Sequence, residues 1–294
     1  MNITIEKINQ SHIEDCSKSL HLNLIEFDWL LKRTYHRVFG VKKGSEFTAI
    51  AFTWRNEFHP HAEKINIFAD ETIGSETINE LIGKLIHYTP DITADHFVCS
   101  VMSDETMIID TLKKNQFQLM RKTYMPTWKV SVLLEKLEAL DTVTRGLYSL
   151  DEILQNDDRK PSFIQLLKSD YTHSHLVSPV AERSLIEWEE LLLDGEPDLQ
   201  NSLVYMEDDV IRGYISLYPA GNKHYEFGWI GSLQKEIPIE VLRGILKEQL
   251  IRLKNKGVQT VEVEVDSTDL LAFSLFSFAH FEGEHSWDSY KLVF

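Results

Sequence analysis

Hydrophobic and polar positions alternate from Ile3 to Ile8, the pattern of a strand, before Asn9-Gln10-Ser11 breaks the period. Ser11 is placed to cap a helix beginning near His12, and apolar residues at Leu20, Leu24, Phe27, Leu31 and Tyr35 extend its helical spacing. Val38–Val41, Phe47–Trp54 and Lys64–Phe68 read as successive strands, the first two joined by the turn Lys43-Gly44-Ser45. From Glu76 to His87 the period returns to that of a helix, with Ile78, Leu81, Ile82, Leu85 and Ile86 on one face. Thr89-Pro90 ends it. His96–Val101 then predicts a strand, Glu105–Lys114 a short helix, and Phe117–Val130 an extended segment.

The same order recurs further on. Helical segments around Ser162–Asp170 and Ser184–Leu193 precede the strands Leu203–Met206 and Val210–Tyr218, linked by Glu207-Asp208-Asp209. A third strand, Tyr225–Leu233, leads into a long helix over Pro238–Lys256 with Gly257 as its C-terminal stop. Thr260–Val265 is the next strand, Leu270–Phe278 a short helix, and Trp287–Phe294 a terminal strand that completes a mixed sheet. Residues 131–145 read as the connection. The expected organisation is therefore two α/β domains, 1–140 and 141–294.

Composition narrows the function classes. With 30 basic against 46 acidic residues the chain carries a formal charge of −16, most of it in the second half. That field opposes nucleic acid and anionic membranes as partners and favours a cationic one. Cys16 and Cys99 are too few for a disulfide framework. No apolar run is long enough for a membrane span, and the N-terminus lacks the pattern of a signal peptide, so a cytoplasmic location is expected. His59-Pro60-His61 and His173-Ser174-His175 fall short of the converging ligands that zinc requires, so no metal is expected.

Residues 203–294 carry a more specific pattern. The strand Val261–Val265 runs into a short helix with Ala272, Leu275 and Phe276, followed by His280-Phe281. This resembles the Ala-x-x-Leu-Tyr…Gly-Phe pattern of GCN5-related N-acetyltransferases, and the long helix ending at Lys256-Gly257 has the matching place. Val98–Val101, Ile108–Leu112 and Gln116-Phe117 occupy the corresponding places in the first half more loosely. The resemblance implies an α/β (α+β) fold of two tandem domains, each a mixed twisted sheet flanked by helices. It also implies acetyl-CoA or another acyl-CoA as donor and a small-molecule amine as acceptor. The family's phosphate-binding glycines fall here on Val241 and Arg243, and its tyrosine on Phe276. Side chains at Val241 and Arg243 leave the helix amides in place but crowd the approach, whereas Arg243 could supply charge.

By the same resemblance Glu226 lies where a general base is often kept, and Trp229, Ile230 and Gly231 offer strand backbone to the cofactor. Glu226 reads equally as a half-exposed strand carboxylate. Glu262, Glu264 and Asp266 share one strand face, which suits either a cationic substrate or plain solvent exposure. Tyr171 and the neighbouring histidines mark a location for a substrate pocket without defining a mechanism. Two functions stay open: an N-acyltransferase, or a noncatalytic domain pair that binds a small molecule or a protein.

Overall fold

The computed structural model describes residues 3–9, 12–20, 35–87, 94–232, 237–283 and 285–293. The expected helical positions Leu24, Phe27 and Leu31, the stop at Thr89-Pro90, and Leu233 lie outside these residues. The chain forms two mixed sheets, each flanked by helices. The chain divides into two compact units: residues 1–121, 177–181 and 287–294 form the first, and 122–176 and 182–286 the second.

In the first unit the strands are β1 (Ile3–Lys7), β2 (Tyr35–Lys43), β3 (Glu46–Arg55), β4 (Ala62–Ala69) and β5 (His96–Met102). Tyr35, expected at the end of a helix, begins β2 instead and sits opposite Trp54 of β3. β1 to β4 pair antiparallel in sequence, whereas β4 and β5 run parallel from Ala62↔His96 to Ile65↔Cys99. A parallel pair needs a crossover, supplied here by α2 (Ser75–His87). α1 (Ile13–Ser19) precedes β2 and α3 (Thr106–Lys114) follows β5. Ile78, Leu81, Ile82 and Leu85 of α2 are buried at the predicted spacing, against Phe97, Cys99 and Val101 in one core.

The second unit begins at Lys122, so the sequence-based division near residue 140 falls inside it. β6 (Gln118–Tyr124) and β7 (Thr127–Lys129) occupy the expected extended segment, and α4 (Val130–Lys136) follows directly. The predicted connection is thus partly helix, because Val130, Leu133 and Leu137 recur at helical spacing and enter the core. Next come β8 (Leu147–Ser149), α5 (Leu150–Leu154), α6 (Arg159–Ser174) and α7 (Leu185–Leu193). Ser184 and Glu187 form a reciprocal capping box at the start of α7. The strands β9 (Leu203–Glu207), β10 (Val210–Gly221) and β11 (His224–Ser232) pair antiparallel, and α8 (Ile239–Asn255) crosses to β12 (Thr260–Val263), parallel to β11. Sheet order is β7-β12-β11-β10-β9-β8. β13 (Val265–Asp266) pairs with β6, and α9 (Leu270–Phe276) follows.

β14 (Ser286–Val293) departs most from expectation. It aligns antiparallel with β5 from Trp287↔Met102 to Val293↔His96, so the end of the chain belongs to the sheet of the first unit. Tyr290 is buried in that unit's core. Alternation marks a strand but carries no information on which sheet accepts it. Removing residues 287–294 is expected to expose the β5 edge and melt the first unit selectively. Hydrogen exchange on the truncated chain checks this, with protection lost at β4 and β5 and kept at α8 and β11.

Gly257 ends α8 with φ 84°, the left-handed conformation. Its N–H donates to the Lys254 carbonyl and that of Val258 to the Leu253 carbonyl, the two bonds of a Schellman stop. No atom lies where a Cβ would go, so strain here comes from the backbone alone. Gly257→Ala is expected to cost about 1 kcal/mol, read as a lower denaturant midpoint at unchanged slope.

Candidate functional site

The site begins where two parallel strands stop being neighbours. The β11–β12 ladder runs from His224↔Thr260 to Phe227↔Val263 and ends there, although β11 continues to Ser232. Beyond Val263 the chain exchanges partners: Val265 and Asp266 pair with Tyr124 and Thr123 of β6. β11 is bulged at the same level, since its register with β10 shifts between Ile215↔Ile230 and Leu217↔Phe227. Ser216 fills the irregularity. Its Oγ accepts the Trp229 N–H at 2.6 Å and donates to the Trp229 carbonyl at 3.1 Å. Gly228 is required here, because a Cβ would overlap the Tyr218 ring.

The resulting cleft forms a cavity of about 290 Å³ lined by Glu226, Gly228, Trp229 and Ile230 on one side and Glu264 and Asp266 on the other. Asp170, Tyr171, Ser174 and His175 at the end of α6 close it, and a second cavity of about 770 Å³ shares Asp170, Ser174, Ile230 and Asp269. Ile237, Ile239, Leu270 and Leu271 give it an apolar side, with Ser169, His173, Ser232 and Ser274 completing the wall. The aromatic side is built from α6, α7 and β11. Tyr171 stacks on His175 at 3.8 Å between ring centres and lies 5.0 Å from Trp229, which meets buried Trp188 edge-on.

Three of the sequence-predicted site residues, Glu226, Trp229 and Ile230, line the smaller cavity, and Gly231 lies directly beneath the Asp170 carboxyl. Val241, Arg243 and Phe276 line neither cavity. Arg243 donates to the carbonyls of Ser274 at 2.8 Å and Leu275 at 3.3 Å and to Ser277 Oγ, so its charge is committed to the end of α9. Phe276 is fully buried between Trp128 and Phe227, at 5.8 and 5.7 Å. The three strand carboxylates do not share one environment. Glu262 pairs with His224, Glu264 is exposed, and Asp266 is buried where it accepts the Thr123 hydroxyl. The change of strand partner after Val263 breaks the expected alternation.

Asp170 and Asp269 also border both cavities, though neither belongs to the candidate residues read from the sequence. Burial pushes the Asp170 carboxyl up to about 7, opposed by the Tyr214 hydroxyl and the Ser232 amide and reinforced by Asp269. In turn burial, and then Asp170, hold the Tyr214 hydroxyl well above the usual phenol range. Asp269 caps α9, accepting from Leu271 and Ala272, yet burial raises it too. Glu226 is raised by burial and by Glu262. His173-Ser174-His175, expected in a loop, ends α6 and lies at the cleft. A lone aspartate in a helical stretch gives no sequence signal, whereas Asp269 carries a weak one as an N-cap before Leu-Leu-Ala.

A carboxyl raised above its unfolded value keeps its proton longest in the folded state. Its cost to stability is therefore absent near pH 4, grows as pH rises, and is complete above about 7. Asp170→Asn removes that cost. It is expected to raise Tm by about 2–4 °C at pH 8 and to leave it nearly unchanged at pH 4, measured by thermal denaturation at both.

The chain matches no protein-family model and no curated relative. It does match solved structures. A GCN5-related N-acetyltransferase from Sphaerobacter thermophilus is 13% identical with a TM-score of 0.62, over 99% of this chain and 95% of that one. An acetyltransferase of the same fold family from Colwellia psychrerythraea gives 11% and 0.56, over 98% and 99%. A tandem protein of this family from the clavulanic acid biosynthesis pathway gives 10% and 0.54, over 99% and 98%. Such identities establish the fold alone: the chain has the GCN5-related N-acetyltransferase fold in a tandem arrangement.

Proposed function

We propose that this chain is an acyl-CoA-dependent N-acyltransferase, with acetyl-CoA as the donor and a small primary amine as the acceptor. The observation that carries this reading is the divergence of β11 and β12 beyond Phe227 and Val263, which leaves strand backbone facing a cavity of substrate size. In this reading the donor's pantetheine arm lies along Ile230–Gly231, and the first-turn amides of α8 face its pyrophosphate. The Trp229 N–H is already given to Ser216, so polarisation of the thioester oxygen falls to the backbone at Ile230 and Gly231. The acceptor enters from the acidic and aromatic side, where Glu226 meets its ammonium group.

The amine nitrogen attacks the thioester carbonyl carbon. A C–N bond forms, the C–S bond breaks, and the products are an amide and the coenzyme A thiol, with one proton released from the ammonium. Phe276 in place of a tyrosine means that the departing thiolate takes its proton from another donor, as the pocket or solvent allows. A cytoplasmic location belongs to the same reading.

A second reading, a noncatalytic binding module of the same fold, is favoured by one observation: Arg243 is tied to the α9 carbonyls rather than turned to an anion. Calorimetric titration of the full chain with acetyl-CoA separates the two, saturable heat being expected for the transferase. With spermidine as acceptor, Glu226→Gln is expected to raise KM about fivefold, the worth of about 1 kcal/mol from one half-buried carboxylate. No heat and no transfer would favour the binding module.

A further inference from the structure

Five carboxylates face the cleft, and their surroundings separate their roles. Asp266 receives the Thr123 hydroxyl, Asp269 receives two backbone amides of α9, Glu264 is exposed, and Glu226 is half-buried beside Glu262. Asp170 differs from all four. Among the described residues its Oδ2 is a carboxylate oxygen shut off from solvent without a hydrogen bond of its own. That oxygen stands over Gly231, so close that a Cβ there would overlap both it and the Tyr214 hydroxyl. Gly231 belongs to the stretch of β11 that has left β12, and Asp170 borders both cavities. The carboxyl thus sits over the strand backbone along which a thioester is to lie.

We propose that Asp170, and not Glu226, takes the proton of the acceptor's ammonium group, with the aromatic faces of Tyr171, His175 and Trp229 steering that group towards it. This rests on the acyltransferase reading above. An alkylammonium holds its proton far more tightly than an ordinary carboxylic acid does, so an ordinary aspartate is a weak base for it. Burial narrows that mismatch at Asp170 and brings its ionisation close to neutral pH, where a general base works best. Tyr171, His175 and Trp229 line the smaller cavity beside Asp170, and aromatic rings there attract a cation.

The proton count closes. Asp170 takes one proton from R–NH3+, freeing the nitrogen lone pair to form the C–N bond. The second nitrogen proton leaves as the C–S bond breaks and goes to the thiolate, directly or through water. Asp170 then returns its proton to solvent. The groups that act on Asp170 are the Tyr214 hydroxyl on β10, the Ser232 amide on β11, Asp269 at α9 and His173 on α6; His175, Glu226, Glu264 and Asp266 border the same cavity. The carboxylates work against ionisation and a protonated histidine for it.

The test uses the full chain, acetyl-CoA, and spermidine and tyramine as amine probes, with kcat/KM followed between about pH 5.5 and 9. The expected wild-type profile falls on the acid side with a midpoint near 7. Asp170→Asn is expected to lower kcat/KM by about 100-fold or more and abolish that acid limb, while calorimetry shows acetyl-CoA still bound. Asp170→Glu restores part of the rate with a displaced limb, and Glu226→Gln keeps the limb in place. A far-ultraviolet melting curve confirms that each variant is folded. Transfer that retains its rate and its acid limb in Asp170→Asn overturns the assignment and leaves the acyltransferase reading standing. No acetyl-CoA heat together with no transfer to either amine overturns both.

Discussion

Everything that distinguishes the second unit follows from one interruption in a hydrogen-bond ladder. Parallel strands held along their whole length form a closed surface whose backbone groups are spent on each other. Here the β11–β12 ladder ends at Phe227↔Val263, and each strand is held in its new course by a different device. Ser216 occupies the bulge on one side by bonding both backbone groups of Trp229, while β6 recruits Val265 and Asp266 on the other. Neither device leaves the strands free to close again. The gap is therefore written into the hydrogen bonding of both strands, and residues at the end of α6 and the start of α9 border the cavity that it leaves.

Much of this architecture is legible in the sequence because it depends on local physics. The apolar face of α2, the Ser184–Glu187 box and the Gly257 stop each require only residues a few positions apart. Partner choice is a different kind of information. Nothing within Trp287–Val293 says that β5, and not a strand of the preceding unit, lies alongside, since the alternation is identical in both cases. The same limit explains the region after Val130. Val130, Leu133 and Leu137 fit a helix, but interleaved Lys and Glu residues also fit a polar connection, and only the core they enter decides between them.

The site divides along the same line. Glu226, Trp229 and Ile230, proposed from the sequence, line the cavity, and they could be placed there because strand order survives where identities do not. Arg243 and Phe276 can be placed equally well, yet their roles depend on neighbours supplied by other elements. Arg243 reaches the α9 carbonyls across a helix pair, and Phe276 is sealed between Trp128 and Phe227. Asp170 could not be found at all. What distinguishes it is the overhead position above Gly231, a relation between a helix and a strand about 60 residues apart that no local spacing encodes.

The charge distribution then acquires a direction. Carboxylates gathered in a poorly solvated cleft repel one another and resist ionisation, which is why burial raises Asp170, Glu226 and Asp269 together. Such a cluster costs stability when empty, and a cation entering it relieves both the repulsion and the missing solvation. An anionic donor gains nothing from the same field. On the acyl-transfer reading the two substrates would be sorted by sign, the acceptor towards the acidic α6 side and the donor's phosphates towards the start of α8, beyond Ile237 and Ile239. An acidic cleft that would be a liability in a phosphate-binding site suits, at its far end, a cationic ligand.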